Sequence, residues 1–374
     1  MEQTLREQVL SAALQEGADF AELFYEDSEA NTIELIDGHV EKASAQRIRG
    51  AGVRVLQGTR SAYAYTSDVS AESLLHTARA AAAALPGIPE HRQITLTPQR
   101  FATPVKVGFD TIGNQDRIRL IRDAARAVRD VSPEISQVVT GYMDKVRRFE
   151  VCNSEGVLAS DVQPRTRLYI SAVAMDGTQA QTGGENPGCS MGFEAYRERI
   201  DAEAHARAAA HTAVTMLHAR ECPAAFLPVV IDGGFGGVIF HEACGHSLES
   251  TSVGRGNSEF CGKVGQQIAS PIVSAIDDGT LPFEWGTINV DDEGNAPRRN
   301  LLIENGILKG YMIDRLGGRQ LNMAATGSAR RQDYTLAPTS RMTNTFIAPG
   351  KDDDDEMIAT MDRGLYAKRW AADR

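Results

Sequence analysis

No apolar run in this chain approaches the roughly 18 residues that a membrane-crossing helix needs. The N-terminal stretch "MEQTLREQVLSAALQEG" is acidic and amphipathic, with no apolar core of a secretion signal. Basic charge is also scarce. Thirty-nine Lys and Arg stand against 50 Asp and Glu, a net charge of −11, which argues against a nucleic-acid partner because phosphate binding needs a basic face. The five cysteines, Cys152, Cys189, Cys222, Cys244 and Cys261, are odd in number, scattered and without C-x-x-C spacing. That excludes a disulfide scaffold and predicts a reduced, cytoplasmic chain. Internal repeats and low-complexity tails are absent. What remains, 42% hydrophobic and 24% charged residues, is the composition of a soluble globular protein. With 374 residues it exceeds the roughly 250–300 at which a single core stops growing, so two domains are expected.

The first half alternates helix and strand signals. Residues 3–16 read as a helix, "DFAELFYEDSEANTIELIDGHVEKASAQ" has alternating apolar positions, and "AGVRVLQGTRSAYAYTS" reads as a hairpin around Gln57-Gly58. An Ala-rich helix ends at Pro86-Gly87, a linker spans about 88–110, and a second helix lies near 115–130. Strand patterns resume in "FEVCNSEGVLASDVQPRTRLYISAVAMD", and a long helix over 196–219 ends at Glu221-Cys222-Pro223. The boundary is placed there, giving an N-terminal domain of 1–220 and a C-terminal domain of 221–374. The second half opens with a strand in "FLPVVID", a glycine turn, and a buried helix in "GGVIFHEACGHSLE". Short strands are predicted in "PIVSAIDDG", "WGTINVDDEG" and "RNLLIENGILKGYMID", the last a hairpin at Asn305-Gly306. The run "DDDDEMIATMDRG" predicts a short helix whose acids sit at the positive end of its dipole. The fold class is α+β, with a mixed N-terminal domain and a largely antiparallel C-terminal one.

Chemistry concentrates in "FHEACGH". The zinc-protease helix H-E-x-x-H sets its histidines four apart, whereas His241 and His246 are five apart. On a regular α-helix that spacing separates them by about 140°, too far for one tetrahedral ion. A single i→i+5 bulge would return them to one face, and Gly245 makes such a departure cheaper. The alternative is a buried helix whose histidines have backbone partners. It requires Glu242 to be buried beside them, which is costly without a partner. The residues alone leave both readings open, and zinc needs a third protein ligand besides. After His246 the chain contains no histidine, and its one cysteine is Cys261.

The stretch "HEACGHSLE", followed in order by "SAIDDGT", "DDEGNAPRRNLLIENGILKGYM" and "SARRQDYTLAPTSRMTNTFIAPG", resembles the TldD/PmbA family, the TldD branch in particular, over most of residues 225–366. The resemblance implies a zinc metallopeptidase, independent of ATP, that hydrolyses unfolded or extended peptides. It further implies pairing with a TldE/PmbA-like subunit, with a homodimer as the other arrangement. Carried over by position, His241 and His246 would be zinc ligands and Glu242 the general base toward the attacking water. An extended substrate would add its backbone to a strand edge. Arg341 and Asn344, in "RMTNTF", resemble a family motif near the cleft, with substrate contact and scaffold support both open.

The family's third zinc ligand is a cysteine beyond the point where this chain stops, so a truncated and impaired member is the alternative expectation. Cys261 is a weak substitute candidate, since its residue type favours a half-buried structural role. Cys244 reads as helix packing, and His205, His211 and His218 as core or surface histidines. Asp291, Asp292 and Glu293 read either as an ion site or as an acidic turn before Gly294. A family-like Arg-Met-Gly-Gly can be encoded so that loss of one base yields the tail Arg369-Trp370-Ala371-Ala372, which is therefore expected to be out of frame. Resequencing codons 365–374 checks this: family-like coding sequence should follow in the shifted frame, and a confirmed frame without it defeats the idea.

Overall fold

A computed structural model describes residues 1–89 and 92–368; the expectation about the tail at 369–372 lies outside the described residues. The chain opens with α1 (Gln3–Leu14), then β1 (Phe20–Ile36) and β2 (His39–Gln57), joined at Asp37-Gly38. Both turn residues have positive φ, 51° and 82°, the conformation that a two-residue hairpin selects. The expected hairpin at Gln57-Gly58 leads into β3 (Arg60–Thr66). Helix α2 (Ala71–Ala83) follows, capped by Ser70. The stretch expected to be a linker contains a strand, β4 (Thr97–Arg100), which pairs parallel to a later one. Next come α3 (Asn114–Arg129), the 19-residue β5 (Ile135–Asn153) and β6 (Val157–Met175), β7 (Ala180–Glu185), β8 (Gly188–Cys189), α4 (Ala195–Glu198) and α5 (Ala202–Leu217). The single helix expected over 196–219 is therefore two. Asp201 leaves helical geometry so that its carboxylate can accept the Ala204 N–H at 2.9 Å, and that cap starts α5.

These strands form one large sheet in the order β3-β2-β1-β5-β6-β4, with β7 and β8 also on β6. Along β1 the odd positions face helices. Ala21 and Leu23 pack with α1 and α2 at one end, while Ile33 and Leu35 pack with α3 and α5 at the other. The even positions Glu22, Phe24 and Glu26 face the second half of the chain. Of these, Phe24 shares a small core with Phe149, Val151, Ala159 and Val290.

The second half comprises β9 (Val229–Ile231), α6 (Gly233–Phe240), α7 (Ser250–Val253), β10 (Ala275–Asp278), β11 (Arg299–Glu304), β12 (Ile307–Leu308), α8 (Arg315–Leu321), β13 (Ala329–Arg330), β14 (Thr339–Ser340), β15 (Thr345–Ile347), α9 (Asp354–Ala359) and β16 (Leu365–Ala367). Its main sheet, β12-β11-β10-β15, is antiparallel, and the Asn305-Gly306 hairpin joins β11 to β12 as expected. The α+β class with largely antiparallel sheets holds, β4–β6 and β9–β16 being the parallel pairs. No strand forms in "WGTINVDDEG", because its acids turn toward the large sheet. Among the described residues no helix is long and apolar enough to cross a membrane.

Asp291, Asp292 and Glu293 form the expected acidic turn before Gly294, whose N–H donates to the Asp291 carbonyl at 3.1 Å, but the turn is buried: each of the three is at most 3% exposed. Arg147 of β5 grips Asp292 with two bonds of 2.7 Å, and Arg54 of β2 bridges Glu22 at 3.1 Å and Glu293 at 2.7 Å. Arg331 closes the network by pairing with Glu22, while its backbone N–H donates to Asp292 at 2.7 Å. Burial works against the charge on Asp292, but Arg147 outweighs it and holds the carboxyl below its ordinary 3.8. The resulting stability is present above that value and is lost as the pH falls through the folded-state pKa. Arg54→Met would leave Glu22 short of one partner and Glu293 without its arginine in the interior. Urea denaturation is expected to show a loss of about 3–5 kcal/mol; a loss under about 1 kcal/mol would show that this contact does not hold the halves together.

Candidate metal centre

Helix α6 begins at Asp232, whose carboxylate accepts the Gly234 N–H at 3.2 Å and the Tyr366 hydroxyl at 2.6 Å. It runs to Phe240 and then widens. Residues 241–245 form one π-helical turn, in which the His246 N–H donates to the His241 carbonyl five residues back. A short 3₁₀ turn over 246–248 follows. The extra residue is thus absorbed by an i→i+5 bulge, a feature frequent at functional sites. Its consequence is geometric. The two imidazole centroids lie 4.8 Å apart with planes at 86°. Donor atoms of His241, Glu242 and His246 all fall within 4.8 Å of one another.

The segment is not the buried helix expected from its apolar sequence. Only Phe240, Gly245 and Leu248 are buried between 238 and 248, and the Glu242 side chain is 66% exposed. No desolvation cost therefore attaches to Glu242, whose Oε2 stands 3.9 Å from His246 Nε2. Gly245 has ordinary helical angles, φ −55° and ψ −54°. It is needed for packing rather than for freedom of φ, since a β-carbon there would lie 2.4 Å from the Met342 sulfur.

His246 is oriented from behind. Its Nδ1 lies 3.2 Å from Glu249 Oε1, and Glu249 is buried, 3.8 Å from the Arg341 guanidinium. Burial raises the Glu249 pKa, with Arg341 and His246 acting against the rise. A carboxylate on Nδ1 fixes the tautomer and leaves Nε2 free toward Glu242, the arrangement usual behind metal-bound histidine. For His241, burial first and then the neighbouring His246 push the imidazole pKa below 6.5, so it is neutral at pH 7. A neutral imidazole is the form that ligates. Two imidazole nitrogens suit zinc, with the carboxylate of Glu242 beside them left for a bound water: ligands of one tetrahedral ion stand about 3.4 Å apart, given bonds near 2.1 Å.

Glu249 was not singled out from the sequence, although its position three residues after His246 is the available signal. Arg341 and His241 line one cavity of about 390 Å³ between the large sheet and the second half. Asn344 is committed to the scaffold: its amide donates to the Asp278 carbonyl and its oxygen accepts the Gly286 N–H, both at 2.8 Å. Cys261 does not join the cluster; its thiol lies 3.5 Å from the Val253 carbonyl, and it packs with Cys244 against the core of the second half. His205 and His218 pair with Glu185 and Glu134 elsewhere.

Three consecutive sequence models of the PmbA/TldA metallopeptidases match this chain: domain 1 over residues 21–85, the central domain over 108–217 and the C-terminal domain over 225–372. A metalloprotease TldD homolog of Haemophilus influenzae is 31% identical over 361 residues, covering 93% of this chain and 74% of that protein. A zinc metalloprotease TldD homolog of Saccharolobus solfataricus is 25% identical over 355 residues, covering 94% and 77%. The fold is shared with the crystal structure of TldE from Thermococcus kodakarensis, with a TM-score of 0.73 at 19% identity over 98% of this chain and 83% of the other. A putative modulator of DNA gyrase from Thermotoga maritima gives 0.78 at 18% identity, over 97% and 81%. With all three domains matched in order and a relative at this identity along nearly its whole length, the chain belongs to the PmbA/TldD family of metallopeptidases.

Proposed function

We propose that this chain is a zinc-dependent peptidase subunit that hydrolyses unfolded or extended peptides. The observation that carries the reading is the π-turn that gathers His241, Glu242 and His246. In this reading His241 and His246 hold the ion, and Glu249 fixes the tautomer of His246. Bound zinc would supply a Lewis acid that lowers the pKa of water and polarises the scissile carbonyl. The chain's own residues do the rest. Glu242, exposed and next to the cluster, takes the proton of the attacking water and returns it to the leaving amine. Arg341, on the rim of the cavity shared with His241, is placed to hold substrate, while Asn344 supports the loop.

The 390 Å³ cavity admits a side chain or a chain end but no folded domain, which supports unfolded or extended substrates. A TldE/PmbA-like partner, or a second copy, fits the shared fold with TldE. The proposed division at residue 220 separates the large sheet with its helices from the metal-bearing unit. All five cysteines are free thiols, in keeping with the cytoplasm. One observation favours a second reading, a non-catalytic member. Among the described residues no third imidazole or thiol joins the cluster, and catalytic zinc commonly has three protein ligands.

Metal analysis of the purified chain decides between them. Stoichiometric zinc, with chelator-sensitive peptide cleavage that Glu242→Gln lowers by about 100-fold or more, supports the enzyme. No bound metal at micromolar zinc supports the second reading. Glu249→Gln removes the acceptor behind His246 and is expected to weaken zinc binding by about 10–100-fold. A competition titration reads this directly, and unchanged affinity would reduce Glu249 to a packing residue.

A further inference from the structure

The cavity beside His241 has an unbalanced charge. Six cations line it, Lys145, Arg147, Arg165, Arg330, Arg331 and Arg341, against two acids, Asp291 and Asp292. Most of the balance is already spoken for. Asp292 is gripped by Arg147, and Arg331 is neutralised by Glu22. Both oxygens of Asp291 accept N–H groups, from Glu293, Asn295 and Ala329. Arg341 lies 3.8 Å from Glu249.

Three cations are left over. Among the described residues no carboxylate lies within 4.0 Å of Lys145, Arg165 or Arg330. The acids nearest in effect to Lys145 and Arg165, Glu26 and Asp292, are committed to Arg147. Arg165 has its Nε buried without an acceptor and is held 5.8 Å from the Trp285 ring. Arg167 covers the same ring at 3.8 Å. An aromatic wall therefore positions the guanidinium without neutralising it. Burial pushes all three pKa values down, Arg165 to about 10. Half-buried cations without counter-ions weaken a fold. They are suited instead to a ligand that brings the missing negative charge.

We propose that this cavity is an anion subsite in which Lys145, Arg165 and Arg330 receive a carboxylate of the substrate peptide, either its C-terminus or an acidic side chain. The proposal deepens the peptidase reading and rests on it for the ligand being a peptide. A carboxylate held there would anchor the chain beside His241 and set which bond reaches Glu242. Specificity would then lie in the distance from the anion to the scissile bond, with little demand on the side chains between.

The test is binding, measured on the full chain carrying Glu242→Gln so that cleavage does not consume the probe. Three labelled hexapeptides of one neutral sequence are compared by fluorescence anisotropy at low salt: the free acid, the C-terminal amide, and an amide containing one internal Glu. The free acid, the Glu-containing amide or both should bind about tenfold tighter than the neutral amide, and the pattern assigns the source of the carboxylate. Arg165→Met, Lys145→Met and Arg330→Met, made separately, should each shrink that ratio to within about threefold with the neutral amide little changed. Because these residues have no partner to orphan, the variants should melt no earlier than the parent. Equal binding of the three peptides, binding of none, or a preference that survives all three substitutions overturns the proposal. A carboxylate preference in a chain that cleaves nothing would sink the peptidase reading alone, and cleavage without the preference would sink the subsite alone.

Discussion

The pairing of Arg54, Arg147 and Arg331 with Glu22, Glu293 and Asp292 is the constraint on which the rest of the molecule depends. Each of these groups is buried, and each has its partner on a different strand or loop. Hydrophobic contact between the sheet's even face and the second half is small, built around Phe24, Phe149, Val151, Ala159 and Val290. Such a contact tolerates sliding. A two-bond guanidinium–carboxylate pair does not, because displacement by an ångström or two leaves charges unpaired in a medium that solvates them poorly. The ion pairs therefore set the register between the halves, and through the loop 290–293 and β13 they position the wall of the cavity that faces His241.

That arrangement also explains which parts of the fold could be read from the sequence. Helices α2, α3 and α9 were legible because one apolar face and a capping or acidic first turn coincide. The hairpins at Gln57-Gly58 and Asn305-Gly306 were legible because their turns need positive φ. The long strands were legible only in part: alternation showed along β1 and strand patterns along β6, but not the full lengths of β2 and β5. Residues 39–47 of β2 are all exposed and 50–56 all buried, so neither part alternates. Glu22, Glu26, Arg54 and Arg147 further break the apolar rhythm, since charged side chains occupy positions that the pattern assigns to solvent. The same misreading produced a strand in "WGTINVDDEG"; the acidic turn before Gly294 does form, the Gly294 N–H donating to the Asp291 carbonyl at 3.1 Å, but its burial was not legible. Burial of paired charge is invisible when the partner lies more than a hundred residues away.

At the candidate site the histidines and Glu242 were legible as residue types, but their five-residue spacing was ambiguous until placed on a backbone. The segment 241–245 could have kept regular helical bonds and sent the imidazoles to different faces. Its π-turn sacrifices the tighter ladder, and Gly245 lets the widened turn sit against Met342. Glu249 then binds His246 from behind, which no spacing rule for the two histidines would have required. The basic cavity was illegible for a plainer reason: its walls come from β5, β6, the loop 285–292, β13 and the residues after β13 and β14, so its cations are scattered along a chain of net charge −11 and meet only in the fold.

The two sets of arginines occupy one continuous interface but have opposite electrostatic status. At the sheet's centre every guanidinium has a carboxylate, and substitution there should act on folding. A few residues along, toward His241, the cations outnumber the acids free to meet them, and substitution there should act on ligands. The alternation along β5 and β6 produces both sets, since Lys145, Arg147, Gln163 and Arg165 lie on one face by period-two geometry. What divides them is the second half, which brings Asp292 and Glu293 to one end of that face and Arg330 and Arg341 to the other. A fold stabilised by neutralising buried charge thus leaves it unneutralised beside the groups able to hold a metal, and there the negative charge of the proposed ligand would complete it.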